Sequence, residues 1–237
     1  MLQQRDRHTP AGQRAAAGQE LLAWCRAQHS TLKQRLKLFI RLCQLLGAAH
    51  RRGVVHGGIE SSRVLVAGES VVELLPAQGG PAAPAFAAPE QLAGGEPSAA
   101  TDVYALGVLL YRLLSARKPI ALGGLPAALA IERAIHDTPS PPSAAATPDA
   151  PVAPRQLRGD LDAIVLKCLR KNPQERYASA LELEAELRRF LAHQPVRVRG
   201  RARAYLMRRF LRRHRLMTAA TLLLTVALCT AAMMVRG

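Results

Sequence analysis

The sequence predicts a mainly helical domain with one small β-hairpin, followed by a single apolar helix of membrane length. Three observations lead there. Apolar residues recur at steps of three and four over residues 32–46 and again over 101–114, the spacing of a buried helix face. Val64-Leu65-Val66 and Val71-Val72-Glu73-Leu74-Leu75 flank the turn-forming Ala67-Gly68-Glu69-Ser70, which is a hairpin pattern. Residues 216–235 run without a charge, Gly or Pro.

A chain of 237 residues can bury a sizeable core, but aromatics are only 4% of it, so Leu, Ala and Val must build that core. The net charge of +16 suggests a nucleic-acid partner until it is divided along the chain. Residues 1–196 hold 23 Lys and Arg against all 17 acids, whereas residues 197–237 hold ten Arg and no acid. The excess belongs to the tail. Only Tyr205 and Phe210 are placed for base stacking within that tail, so no nucleic-acid partner is expected. Cys25, Cys43, Cys168 and Cys229 form no C-x-x-C pair and are expected to be free thiols in a reducing compartment. Residues 1–17 lack the apolar centre of a signal peptide.

In chain order, residues 1–18 show no period and are expected to form a flexible arm. Residues 20–27 suit a short helix that buries Leu21, Leu22 and Trp24. Thr31 and Gln34 make a capping box for the first long helix, which places Leu32, Leu36, Phe39, Ile40, Cys43 and Leu46 on one face. Gly47 continues that face at a cost of about 1 kcal/mol against Ala, which close packing would explain. Gly53 stops the helix. After the hairpin, residues 76–88 are rich in Pro, Ala and Gly and read as irregular. Ala88-Pro89-Glu90-Gln91-Leu92 opens a helical turn. The helix from Thr101 is apolar around most of its circumference and should be central. Pro126 sits in the first turn of a helix over 125–136, and six prolines from Pro139 to Pro154 mark an exposed loop. Asp160 is expected to cap a helix through Leu169, and Ser179 with Glu182 to cap the last one.

Residues 216–235 would span roughly 30 Å as a helix, one hydrocarbon core. Nine arginines stand before them, from Arg197 to Arg215, and Arg236 alone stands after. That asymmetry predicts a single pass of the inner membrane with residues 1–215 cytoplasmic. The 197–215 block would then meet anionic lipid head groups.

The stretch joining the long helix to the hairpin is His56-Gly57-Gly58-Ile59-Glu60-Ser61-Ser62-Arg63-Val64-Leu65-Val66. It resembles the catalytic loop of bacterial receptor-type serine/threonine protein kinases, His-Arg-Asp-Leu-Lys-Pro-x-Asn-x-Leu. Further anchors follow in the family's order. Ala88-Pro89-Glu90, preceded by Phe86, resembles the Ala-Pro-Glu motif. Thr101-Asp102-Val103-Tyr104-Ala105-Leu106-Gly107 resembles the start of the family's central helix, and Asn172-Pro173 with Arg176 its late Asp-Pro-x-x-Arg motif. The resemblance covers residues 19–195 and is to the helical C-terminal lobe of the kinase domain. No G-x-G-x-x-G occurs and the first lysines, Lys33 and Lys37, fall on an amphipathic helix, so the small lobe is expected to be missing. The implied plan is an arm (1–18), a kinase-like domain (19–195), a basic juxtamembrane segment (196–215) and a transmembrane helix (216–235).

The resemblance also implies roles. Leu65 stands at the apolar position under the nucleotide base. Asp102 should accept backbone N–H bonds from the loop near His56, and Glu90 should pair with Arg176; these four residues are structural. The family uses ATP and Mg²⁺, a base Asp and two metal ligands. Here the base position holds Gly58, the loop lysine position Glu60, and the two metal positions Arg63 and Pro76. Shifting the register recovers nothing, because no Asp or Asn lies between Asp6 and Asp102. The expectation is a membrane-anchored pseudokinase without catalytic residues, metal or cofactor, bound to another kinase or signalling protein. Two other readings stay open: an active or trans-complemented serine/threonine kinase, and a truncated remnant.

Overall fold

The structure, a computed structural model, describes residues 18–68, 71–77 and 83–200. The expected arm up to residue 17, the arginines from Arg201 onward and the apolar stretch 216–235 lie outside the described residues. Among the described residues no helix is long and apolar enough to cross a membrane. The chain divides into two compact units between Glu184 and Ala185.

The first unit is mainly helical with a three-stranded antiparallel sheet. β2 (Val64–Ala67) and β3 (Val71–Leu74) form the hairpin, with Val64 opposite Leu74 and Val66 opposite Val72. The alternation sends Val64, Val66 and Val72 inward and leaves Val71 exposed. A third strand, β1 (Gln19–Glu20), pairs with β2, so that Gln19 faces Val66 and Glu20 faces Leu65. Two polar residues are too short a run to show a period, and the sequence pattern did not reveal this strand. The helix after it, α1 (Leu21–Ala27), buries Leu21 and Cys25. Those two lie four residues apart on one helix face; Leu22 and Trp24, expected in the core, stay partly exposed.

α2 (Leu32–His50) begins at the Thr31 box: Thr31 Oγ1 accepts from Gln34 N, and Gln34 Oε1 accepts from Thr31 N at 2.8 Å. Its buried stripe includes Leu36, Phe39, Ile40, Cys43 and Leu46 as expected, but is widened by Leu38 and Leu42. Gly47 lies against Leu181; a Cβ there would come within 2.5 Å of that side chain. α3 is the single turn Pro89–Leu92. α4 (Ala99–Ser115) starts earlier than Thr101 because Ser98 is its cap, with the Ser98 hydroxyl accepting from Thr101 N. Every residue from Thr101 to Tyr111 is buried. This is the central helix.

α5 (Ala127–His136) has Pro126 at its N-cap rather than inside the first turn. The proline-rich stretch is not a wholly exposed loop. It holds two helical turns, α6 (Pro142–Ala145) and α7 (Pro154–Leu157), and buries Pro142, Val152 and Leu157. The reason lies in α8 (Asp160–Cys168). Gly159, not Asp160, stands at the N-cap of that helix, and Asp162 in its first turn accepts from Gly159 N at 3.1 Å and, from the proline segment, from Ser143 N at 2.9 Å and Ser143 Oγ at 2.7 Å. One buried carboxylate thus folds the proline segment onto α8. Asn172 caps the 3₁₀ turn Pro173–Glu175. α9 (Ala180–Leu191) begins in this unit. Cys25, Cys43 and Cys168 are free and buried, and burial pushes all three thiols up, away from the reactive thiolate.

In the second unit the buried Glu186 of α9 accepts from the main-chain N–H of Arg197 and Val198, both at 3.1 Å. This fixes the 3₁₀ turn Arg197–Arg199, where the basic segment begins.

Helices α4 and α8 meet at Gly107, where a Cβ would lie 2.5 Å from the Cβ of Cys168. Cys168 Cβ is backbone-fixed and cannot swing away. Gly107→Ala is therefore expected to lower the unfolding free energy by about 1–3 kcal/mol, despite the roughly 1 kcal/mol that alanine gains in helix propensity. The check is a lower urea midpoint at an unchanged slope.

Candidate functional site

The site is built on Asp102, held in the first turn of α4 by the Ser98 cap and 1% exposed. Its Oδ2 accepts from His56 N at 2.9 Å and its Oδ1 from Gly57 N at 2.8 Å. His50 Nε2, from the last turn of α2, donates to Oδ2 at 2.8 Å. Two successive backbone N–H groups can converge on one carboxylate because Gly57 adopts φ +71°, a conformation costly for any side chain. Pro97 closes off the space as well, at 3.1 Å from a Cβ placed there. His50 was not singled out by the sequence pattern. Its only signal is a histidine at the C-terminal end of an amphipathic helix.

His56 ties the loop to the hairpin. Its Nε2 lies 2.8 Å from Leu75 O and its Nδ1 3.3 Å from Gly58 N. A carbonyl only accepts and an amide only donates, so the proton sits on Nε2. Leu75 N in turn donates to Arg63 O at 2.9 Å. Arg63 Nη1 then donates to the carbonyl of Pro76 at 2.8 Å. Arg63 Nε stands 3.0 Å from Glu60 Oε1, an ion pair whose angle makes no hydrogen bond. Residues 56, 58, 60, 63 and 76 are thereby gathered in one place. Gly58 is buried, and a Cβ there would be in ordinary contact with Ala77 at 3.4 Å. Leu65 is half-buried on β2 beside Gly18.

A second cluster ties the turn α3 to the late helices. Arg176 Nη1 and Nη2 donate to the two carboxylate oxygens of Glu90 at 2.6 and 2.7 Å. Its remaining donors reach Ala100 O, Arg170 O and Lys171 O, and its guanidinium lies 4.9 Å from the Tyr104 ring. The Arg176 side chain is fully buried and that of Glu90 is 22% exposed. Burial alone would push the Glu90 carboxyl up. The Arg176 bonds, with help from Thr101 Oγ1, outweigh it and hold the carboxyl below its ordinary value. Burial raises the Tyr104 phenol to about 12. Gln91 joins the two clusters, donating to Gly57 O at 2.9 Å and accepting from Ala88 N.

Mg²⁺ demands several oxygen ligands and tolerates no cation among them. At the two positions that the resemblance aligns with the family's metal ligands stand the guanidinium of Arg63 and Pro76, whose carbonyl that guanidinium already engages. These residues do not fit a metal ion, and no carboxylate at Gly58 is available to orient an attacking hydroxyl. Among the described residues no group of three His, Cys, Asp or Glu side chains could hold a metal elsewhere.

Comparison with known proteins agrees with the layout. Over 173 residues the chain is 31% identical to the serine/threonine-protein kinase PknB of Mycobacterium tuberculosis, covering 66% of this chain and 26% of that protein. The Mycobacterium leprae protein of the same name is 29% identical over 180 residues, 69% of this chain and 27% of its own. A probable serine/threonine-protein kinase of Streptomyces coelicolor is 31% identical over 180 residues, 69% of this chain and 25% of its own. The chain belongs to the bacterial serine/threonine protein kinase family. It corresponds to part of the kinase domain and spans about a quarter of the length of these relatives. ATP and Mg²⁺ are thereby implied for the family, not for this chain. No family model matches the chain.

Glu90→Gln keeps the volume of the side chain but leaves the buried Arg176 without its counter-charge. The expected loss is about 3–5 kcal/mol, read from urea unfolding at neutral pH. The same pair gives stability a pH dependence. A carboxyl held below its unfolded value of 4.5 stabilises fully above that value and loses its contribution as pH falls through the folded pKa. The wild-type chain should therefore lose stability on acidification below about pH 4.5 more steeply than the Glu90→Gln variant; parallel acid profiles would refute this.

Proposed function

We propose that the chain is a membrane-anchored pseudokinase that acts by binding protein partners rather than by transferring phosphate. The observation that carries this reading is the Arg63–Pro76 contact. A positive side chain stands at one metal position and holds the backbone of the other, while Glu60 replaces a phosphate-facing cation with an anion. Loss of a general base alone lowers a rate by about 10²–10⁴-fold; here base and both metal ligands are replaced together. The ties that hold the loop, in contrast, are intact: Asp102 to residues 56 and 57, His56 to Leu75, and Arg176 to Glu90.

In this reading residues 19–195 form a kinase large lobe that needs no nucleotide, and its partner is another kinase or a signalling protein. The 197–215 arginines face anionic lipid at the inner membrane, and residues 216–235 cross it once with residues 1–215 cytoplasmic.

The activity test pairs a Mg²⁺-ATP thermal shift with a phosphotransfer assay on the detergent-solubilised full chain. No shift and no transfer are expected; nucleotide stabilisation with transfer that survives repurification would sink the reading. Topology is tested separately by a reporter fused after Gly237 that is active only outside the cytoplasm. Activity is expected, and a silent reporter beside a cytoplasm-active one would reverse the orientation.

A further inference from the structure

Away from the hub at Asp102, a cleft of about 370 Å³ opens where α1, the start of α2 and the end of α4 come together. Its charged lining is Arg26, Arg35 and Arg112 against the single acid Asp149, with Leu22 and Pro151 among the apolar walls. Arg26 is exposed at the rim. Arg112 is half-buried, stacks over Phe86 at 5.2 Å and donates to Ser61 Oγ at 3.2 Å, which links the cleft to the kinase-like loop.

Two features of the floor need an explanation that packing does not give. Arg35 is only 4% exposed. Its Nε, Nη1 and Nη2 donate to Ser30 O, Leu113 O and Cys25 O at 2.9, 3.1 and 2.9 Å, yet among the described residues no carboxylate pairs with it. Burial lowers its pKa, but a guanidinium keeps its charge. A buried cation without a counter-charge is costly. Ser30, 3% exposed, also lines the cleft; its Oγ sits near the Cys25 thiol and makes no hydrogen bond of proper geometry. An unpaired buried hydroxyl is destabilising. The bland reading, that Arg35 merely staples three carbonyls, accounts for its bonds. It leaves the orphan hydroxyl and the missing counter-ion unexplained.

One ligand class meets all of these at once. We propose that this cleft binds a phosphate oxyanion, free or carried on a small molecule, with the Ser30 hydroxyl donating to it and Arg26, Arg35 and Arg112 supplying the counter-charge. Charge-assisted bonds to an oxyanion are the strong ones in a site of low exposure. The volume lies near the lower end of small-molecule pockets, enough for a phosphate and the few atoms attached to it. This site is independent of the pseudokinase reading, because it uses none of residues 56–60, 63 or 76.

The test uses the detergent-solubilised full chain and two probes, inorganic phosphate and O-phosphoserine, against sodium chloride at matched ionic strength and serine. Calorimetric titration and thermal shift should show saturable binding of at least one phosphate probe. Tighter binding of O-phosphoserine would assign the source to a carried phosphate, and equal binding to the bare oxyanion. Arg26→Gln removes an exposed charge, and Ser30→Ala removes a hydroxyl that has no partner, so both variants should melt at or above the wild-type temperature without ligand. The double variant should bind at least about tenfold more weakly. A melting rise equalled by chloride, no binding of either probe, or an affinity unchanged in the double variant would each overturn the proposal.

Discussion

A buried carboxylate is tolerated only where donors replace the water it has lost, and Asp102 has three. Two are the backbone N–H groups of His56 and Gly57 and the third is His50. Through them, the end of α2, the loop and the start of α4 are fixed against one another at a single point. Two of the three bonds are made by main chain. The path of the loop is therefore set by Asp102 and by the left-handed Gly57, and it does not depend on which side chains residues 58, 60 and 63 carry. That separation lets the loop keep its course while its reactive positions change.

The second tie obeys the same rule. Arg176 grips Glu90 with two bonds and three backbone carbonyls with the rest, so its role is to fix backbone at the ends of three segments. Gln91 joins this cluster to the first through Gly57 O. The result is a framework of charged and amide groups whose partners are mostly backbone. Such a framework is costly to break from one side and indifferent to chemistry. The residues that fix the fold are therefore distinct from residues 58, 60 and 63 of the loop.

The sequence was legible where the controlling interaction is local. The Thr31–Gln34 box, the apolar girdle of α4 and the hairpin alternation all act within a few residues, and each was visible as spacing. β1 was not, since two polar residues have no period and the strand exists only because β2 offers an edge. The proline stretch looked exposed because its partner, Asp162, lies 19 residues beyond Ser143. Leu22 and Trp24 are as apolar as the buried pair, and only helix geometry, which sets Leu21 and Cys25 on one face, decides against them. At the candidate site, motif order identified the residues that meet, but His50 and Arg35 had no motif to announce them. Their importance comes from long-range partners, or the lack of one, and no window along the chain contains that information.

The pairing at residues 60 and 63 bears on what the altered loop is for. Glu60 is the N-cap and Arg63 the last residue of the 3₁₀ turn Ser61–Arg63, and the two lie 3.0 Å apart. By resemblance to the kinase loop, the first reverses a positive position and the second makes a neutral one positive. Either change alone would leave a stray charge beside the hairpin; made together they cancel locally, and the cation still reaches Pro76 O. Unselected decay has no reason to produce compensating charges three residues apart with a working hydrogen bond between the two positions that the resemblance aligns with metal ligands. A maintained, closed surface does, and this favours a binding role over a remnant.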